Sequence, residues 1–190
     1  MMPPLSLDDR RPKLLSQIVG NQPVVSLLRQ QLKNGRPPRR CFIHGPTGTG
    51  KTTLARILAR CAMCQNRLAS GDPCDRCDNC IWKLDRNCDY LEVSGIQFTA
   101  DWRWWQDNMS TFFGWEHIVI VIDEAQELDR AHQAELRTRL EGARATFIFT
   151  TCWFQSYVAP FFRAIQHPAC TRRGRPSGRV ASSNRFGRPG

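Results

Sequence analysis

Between Leu14 and Lys33 the apolar residues Val24, Leu27, Leu28 and Leu32 recur at three- and four-residue spacing, with Asn21 and Pro23 ahead of them and Asn34-Gly35 behind. This spacing predicts an amphipathic helix. A short apolar run follows at Cys41–His44, then a glycine-rich turn over Gly45–Thr53 and a helical pattern over Thr52–Ala62 with Leu54, Ile57, Leu58 and Cys61 on one face. Residues Cys64–Cys80 are polar and rich in cysteine, and read as an inserted knuckle. Ile81–Arg86 predicts a short helix, Tyr90–Val93 a strand, and Thr99–Phe113, with Trp102, Trp104 and Trp105, a further helix. The runs HIVIVI (His117–Ile122) and TFIFTT (Thr146–Thr151) are nearly all β-branched or aromatic, as strands buried on both faces are. A helix over Ala131–Leu140 separates them, and another is expected over Val158–Ile165. Strands alternating with helices predict an α/β domain, a parallel sheet flanked by helices on both faces.

The chain has 190 residues, 41% of them hydrophobic, which suffices for one buried core. Its net charge of +10 is unevenly placed: Thr171–Gly190 carries six arginines and no acid. With those set aside, 21 bases face 17 acids, so the basic balance is weak evidence that the folded part binds polyanions. After His167-Pro168 the residues are mainly Arg, Gly, Ser and Pro. The division is therefore a domain over 1–168, with the knuckle at about 64–80, and a basic disordered tail over 169–190. Residues 1–12 read as an extended leader, with acids and prolines where a signal peptide needs an apolar core. No apolar run reaches the roughly 18–20 residues of a membrane span. The expectation is a cytoplasmic protein without membrane contact, whose nine cysteines are accounted for by metal or core rather than disulfides.

Gly45, Thr47, Gly48, Thr49, Gly50, Lys51, Thr52 and Thr53 belong to a segment that fits G-x-x-x-x-G-K-S/T, with a strand before it and a helix after. Glycines let successive backbone N–H groups turn inward around a phosphate, and the helix adds its positive end. Lys51 then reaches the terminal phosphates, and the Thr52 hydroxyl is a candidate ligand for Mg²⁺. The strand Ile118–Ile122 ends in Asp123 and Glu124. Asp123 is the expected metal-side carboxylate, and Glu124 the group that orients or deprotonates an attacking water. The N-K-x-D motif that reads guanine is missing, which favours ATP.

Cys74, Cys77 and Cys80 stand at three-residue spacing, with Cys64 ten residues earlier. Paired C-x2-C turns present thiolates to a tetrahedral Zn²⁺, and four thiolates leave no open position for water, so the expected role is structural. Cys61 also forms C-x2-C with Cys64 but continues the apolar face of its helix, which makes Cys64 the expected fourth ligand. Cys41, Cys88, Cys152 and Cys170 have no partner at ligand spacing and read as core or incidental.

A phosphate loop, a helix, a C-x9-10-C-x2-C-x2-C knuckle and then an acid-terminated strand together resemble the gamma/tau family of bacterial DNA polymerase III clamp-loader subunits, which are AAA+ ATPases. The resemblance spans roughly residues 11–165. Arg11-Pro12 and Leu15-Ser-Gln-Ile-Val-Gly20-Asn-Gln look like the family's R-P-x-x-F-x-x-V/I-V-G-Q segment. It lies against the adenine there, so Val19 and Gly20 are implied in the base pocket. Asp123-Glu124-Ala-Gln-Glu-Leu128 is similar to D-E-x-H-x-L, with Gln126 where a His is usual. Thr150-Thr151 matches the family's sensor pair, which implies a γ-phosphate contact for Thr151. Arg163 falls where the family carries its arginine finger, although the flanking residues here are Phe162 and Ala164. The family continues into a lid and a collar domain, whereas this sequence turns into the basic tail, so both are expected to be absent and ATP affinity reduced.

The resemblance implies ATP binding and hydrolysis within a hetero-oligomer of clamp-loader subunits that loads a sliding clamp onto primed DNA. An alternative is a truncated or degenerate subunit that keeps fold and zinc but does not hydrolyse ATP. A zinc-bearing nucleoside kinase fits less well, because its zinc lobe follows the acid-terminated strand rather than preceding it.

Overall fold

The computed structural model describes residues 11–35, 37–81, 84, 87–114 and 117–152. The expected helix over Val158–Ile165, the boundary at 168, the tail and Arg163 lie outside the described residues.

Four strands form one parallel sheet: β1 (Arg40–His44), β2 (Tyr90–Ser94), β3 (Val119–Asp123) and β4 (Thr146–Thr151), in the order β1-β4-β3-β2. Alternation along each strand divides the core in two. Phe42, Ile120, Ile122, Phe147 and Phe149 face one layer, and Cys41, Ile43, Val119, Val121 and Ile148 the other. The first layer is covered by α4 (Gly95–Ala100), α5 (Trp102–Gly114) and α6 (Arg130–Glu141), which supply Phe98, Trp105, Leu136 and Leu140. The second is covered by α1 (Gln22–Lys33) and α2 (Lys51–Met63), with Val25, Leu28, Leu32, Ile57 and Leu58. Each fully buried large side chain contributes about 1.5–3 kcal/mol. Both faces are apolar, as the uniform strand sequences require.

Two sequence expectations are corrected. The first helix starts at Gln22 rather than Leu14, because Gly20 and Asn21 take positive φ (85° and 50°) and break the chain after a single turn at Leu15–Gln17. Its buried stripe is Val25, Leu28 and Leu32, while Leu27 faces outward. The single helix over Thr99–Phe113 is two helices, with Asp101 (φ −94°, ψ 21°) outside helical geometry between them. That break brings Phe98 and Trp105 into contact, ring centroids 4.6 Å apart. A short helix, α3 (Asp78–Ile81), forms inside the cysteine segment, and the helix expected over Ile81–Arg86 lies largely outside the described residues. Among the described residues no helix is long and apolar enough to cross a membrane.

Parallel strands gather their carboxyl ends on one edge, where α/β sheets hold ligands. Here that edge carries the turn after β1, the acids after β3 and the threonines of β4.

Candidate functional site

The glycine-rich turn runs from the end of β1 into α2. Gly48 and Gly50 take φ of 79° and 83°, values that suit glycine and let the backbone wrap before the helix opens at Lys51. Gly45 N–H donates to the Thr151 carbonyl at 3.2 Å, which fastens the turn to β4. Thr49 Oγ1 donates to the Pro46 carbonyl at 2.8 Å, and Lys51 Nζ donates to the same oxygen at 3.0 Å. Lys51 is only 8% exposed, so its ammonium sits within the turn rather than in bulk water. Thr47 and Gly48 form the exposed tip, and Thr53 faces the neighbouring cleft.

Although 71 residues separate them, Thr52 Oγ1 lies 3.2 and 3.1 Å from the two carboxylate oxygens of Asp123. The sheet order explains the approach: β4 lies between β1 and β3, so the turn after β1 and the end of β3 flank one strand. A hydroxyl and a carboxylate paired beside a glycine-rich turn form a donor set suited to a hard cation such as Mg²⁺. Glu124 follows in left-handed geometry (φ 49°), an uncommon conformation for a residue with a side chain. Its backbone is fixed from two sides. Its N–H donates to Thr150 Oγ1 at 3.2 Å, and a Cβ on Gly95 would come within 2.6 Å of its carbonyl oxygen, so only glycine allows α4 this close. Gln126 Nε2 donates to Glu124 Oε2 and holds the Glu124 carboxyl below its usual range, assisted by the positive charge of Lys51. Lysine, threonine and both acids thus share one neighbourhood.

Three residues here lie beyond the sequence expectation. Thr150, fully buried, donates to Asp123 Oδ1. Gln126 links Glu124 to the hydroxyl of Thr151, so Thr151, also fully buried, engages Gln126. Cys152 accepts from Gln126 Nε2 at 3.1 Å, and burial together with Glu124 pushes its thiol up. The in-register pairing of Ile122 with Phe149 sets Thr150 beside Asp123 one position on, a placement that no local sequence signal carries.

A cleft of about 560 Å³ opens beside the turn, lined by Pro12, Ile18, Val19 and Pro23 on one wall and Gly45, Thr49, Gly50, Lys51 and Thr53 on the other. Val19, an apolar residue of this lining, is 97% exposed. Gly20 supplies the bend behind it.

Cys64, Cys74, Cys77 and Cys80 form a separate cluster whose sulfurs all lie within 4.8 Å of one another. The backbone N–H of Cys74 donates to Cys64 Sγ and that of Cys77 to Cys74 Sγ, both at 3.3 Å. Such donors favour thiolate, and N–H groups of Arg76 and Cys77 hold the Cys74 thiol below its usual value. Four convergent sulfurs can hold a metal ion. Cys61 lies apart in the α2 core, where burial pushes its thiol up to about 12. Cys41 is buried in β1, and Cys88 is exposed.

Residues 20–135 match the family described as DNA polymerase III, delta subunit. DNA polymerase III subunit gamma of Buchnera aphidicola subsp. Baizongia pistaciae is 39% identical over 71 residues, which is 37% of this chain and 19% of the relative. DNA polymerase III subunit tau of Salmonella typhimurium is 36% identical over 147 residues, 74% of this chain and 23% of the relative. The chain therefore spans about a quarter or less of these relatives. The Thermotoga maritima RuvB Holliday junction branch migration motor aligns with a TM-score of 0.51 at 21% identity, covering 80% of this chain and 46% of that one. That likeness shows the fold, a parallel sheet flanked by helices, and the gamma and tau relatives meet the resemblance read from the sequence.

Proposed function

Because this chain belongs to the DNA polymerase III, delta subunit family, we propose that it is a clamp-loader module that binds and hydrolyses ATP within a hetero-oligomer of clamp-loader subunits, which places a sliding clamp on primed DNA. The observation that carries this reading is the approach of Thr52 to Asp123 beside the phosphate-binding turn.

The turn's N–H groups and Lys51 would hold the phosphates of ATP, and the wall of Pro12, Ile18 and Val19 its base. Thr52 and Asp123 would hold Mg²⁺, which when bound neutralises charge on the phosphate oxygens. Glu124 would take a proton from the attacking water as its oxygen bonds the γ-phosphorus; the bond to the bridging oxygen breaks, giving ADP and inorganic phosphate. The four clustered cysteines suit Zn²⁺ in a closed structural site. Changing Cys74 and Cys77 together to Ser is expected to lower zinc, read by elemental analysis, from about one per chain to near zero, with a clear fall in Tm.

A non-hydrolysing assembly subunit is the second reading, and one observation favours it: the Glu124 carboxylate is engaged by Gln126, which is itself tied to Thr151. Measuring phosphate release alone, and with partner subunits, clamp and primed DNA, separates the two. Release that rises with the partners supports the first reading. ATP binding with no release in any mixture supports the second.

A further inference from the structure

The knuckle and the base wall of the cleft are joined by one buried carboxylate. Asp72, 4% exposed, sits on the knuckle two residues before Cys74, and its Oδ1 accepts the backbone N–H of fully buried Leu15 at 2.8 Å. Its other oxygen accepts from Ser70 Oγ at 3.1 Å, and its carbonyl accepts Leu68 N–H at 3.0 Å, so the carboxylate is held from its own side. Leu15 starts the single turn that leads into Gln17, Ile18 and Val19, all of which line the cleft. Within that turn the Gln17 side chain accepts the N–H groups of Lys13 and Leu14, leaving the Leu15 N–H to be satisfied by the knuckle.

The knuckle in turn is seated firmly. Gly71 (φ 90°) packs so closely on α1 that a Cβ there would lie 3.2 Å from Leu32 Cβ and 3.3 Å from the Arg29 carbonyl. Asn79 Nδ2 donates to the Met63 carbonyl at 3.0 Å, and Arg60 pairs with Asp75 at 2.7 Å, which fastens it to α2. It thus touches both α1 and the helix that begins at Lys51.

We propose that Asp72 is a positioning residue for the nucleotide base: the cysteine knuckle, acting through the Asp72–Leu15 bond, sets the 17–19 wall of the cleft. The proposal rests on the nucleotide-binding reading of that cleft. It gives the knuckle a role inside the subunit, as the strut of one pocket wall. It also predicts a selective effect, since the phosphate turn is built from β1 and α2 and does not depend on the Leu15 bond.

The test compares wild type, Asp72→Ala and Asp72→Asn in the full chain, titrated with ATP and separately with inorganic triphosphate in the presence of magnesium. Amide hydrogen exchange at Leu15 is followed alongside. Asp72→Ala is expected to weaken ATP about ten-fold, to leave triphosphate unchanged, and to speed exchange at Leu15 but not in β3. Asp72→Asn, whose Oδ1 still accepts, is expected to restore both. Equal loss of ATP and triphosphate, or unchanged ATP affinity in Asp72→Ala, overturns the proposal. Wild-type protein that binds neither ligand instead sinks the nucleotide reading and the proposal with it, while Leu15 exchange still reports whether the bond exists.

Discussion

Lys51→Ala is expected to weaken ATP binding roughly 100-fold while leaving the fold intact by far-UV circular dichroism. The ammonium is nearly buried, and among the described residues it is anchored by a neutral acceptor, the Pro46 carbonyl at 3.0 Å. A charge held this way gains most from an anionic ligand, and charge-assisted hydrogen bonds contribute about 1.5–3 kcal/mol each. The fold should survive because the α2 core rests on Ala55, Ile57, Leu58 and Cys61 rather than on Lys51. Titration with a fluorescent ATP analogue reads the effect; an unchanged affinity would remove the phosphate-binding role of the turn.

The second large effect is expected on turnover. Glu124→Gln should retain ATP binding and lower phosphate release by about 10²–10⁴-fold, the range for loss of a general base. Gln preserves the size of the side chain and the backbone constraints from Gly95 and Thr150, so geometry is kept and basicity removed. Single-turnover measurement with radiolabelled ATP separates this from a binding defect. Release equal to wild type would assign the water-activating role elsewhere.

Local pattern carried much of the fold. The β-branched run before Asp123 and the apolar TFIFTT segment read as buried strands because each places bulky residues on both faces, and both are strands in a parallel sheet. The glycine-rich turn and the cluster of four cysteines were legible because their spacing is local. Breaks set by backbone geometry were harder to read. Asn21 in a left-handed conformation and Asp101 outside helical geometry interrupt stretches whose composition suits a continuous helix. Long-range partners were hidden for a different reason. Thr150 matters because register sets it beside Asp123, and Asp72 because the knuckle folds back 57 positions to meet Leu15. Gln126 is visible in the sequence as a departure from a family pattern, yet its link between Glu124 and Thr151 requires two strands to be in place.

One magnesium-bound nucleotide is expected to lie between Lys51 and the acids at the end of β3, and calorimetric titration of ATP with and without Mg²⁺ tests this most directly. Wild type is predicted to bind one ATP per chain, more tightly with Mg²⁺, and Asp123→Ala to lose the Mg²⁺-dependent gain while keeping Mg²⁺-free binding. An affinity indifferent to Mg²⁺ in wild type, or an Asp123→Ala protein with the full gain, would contradict it.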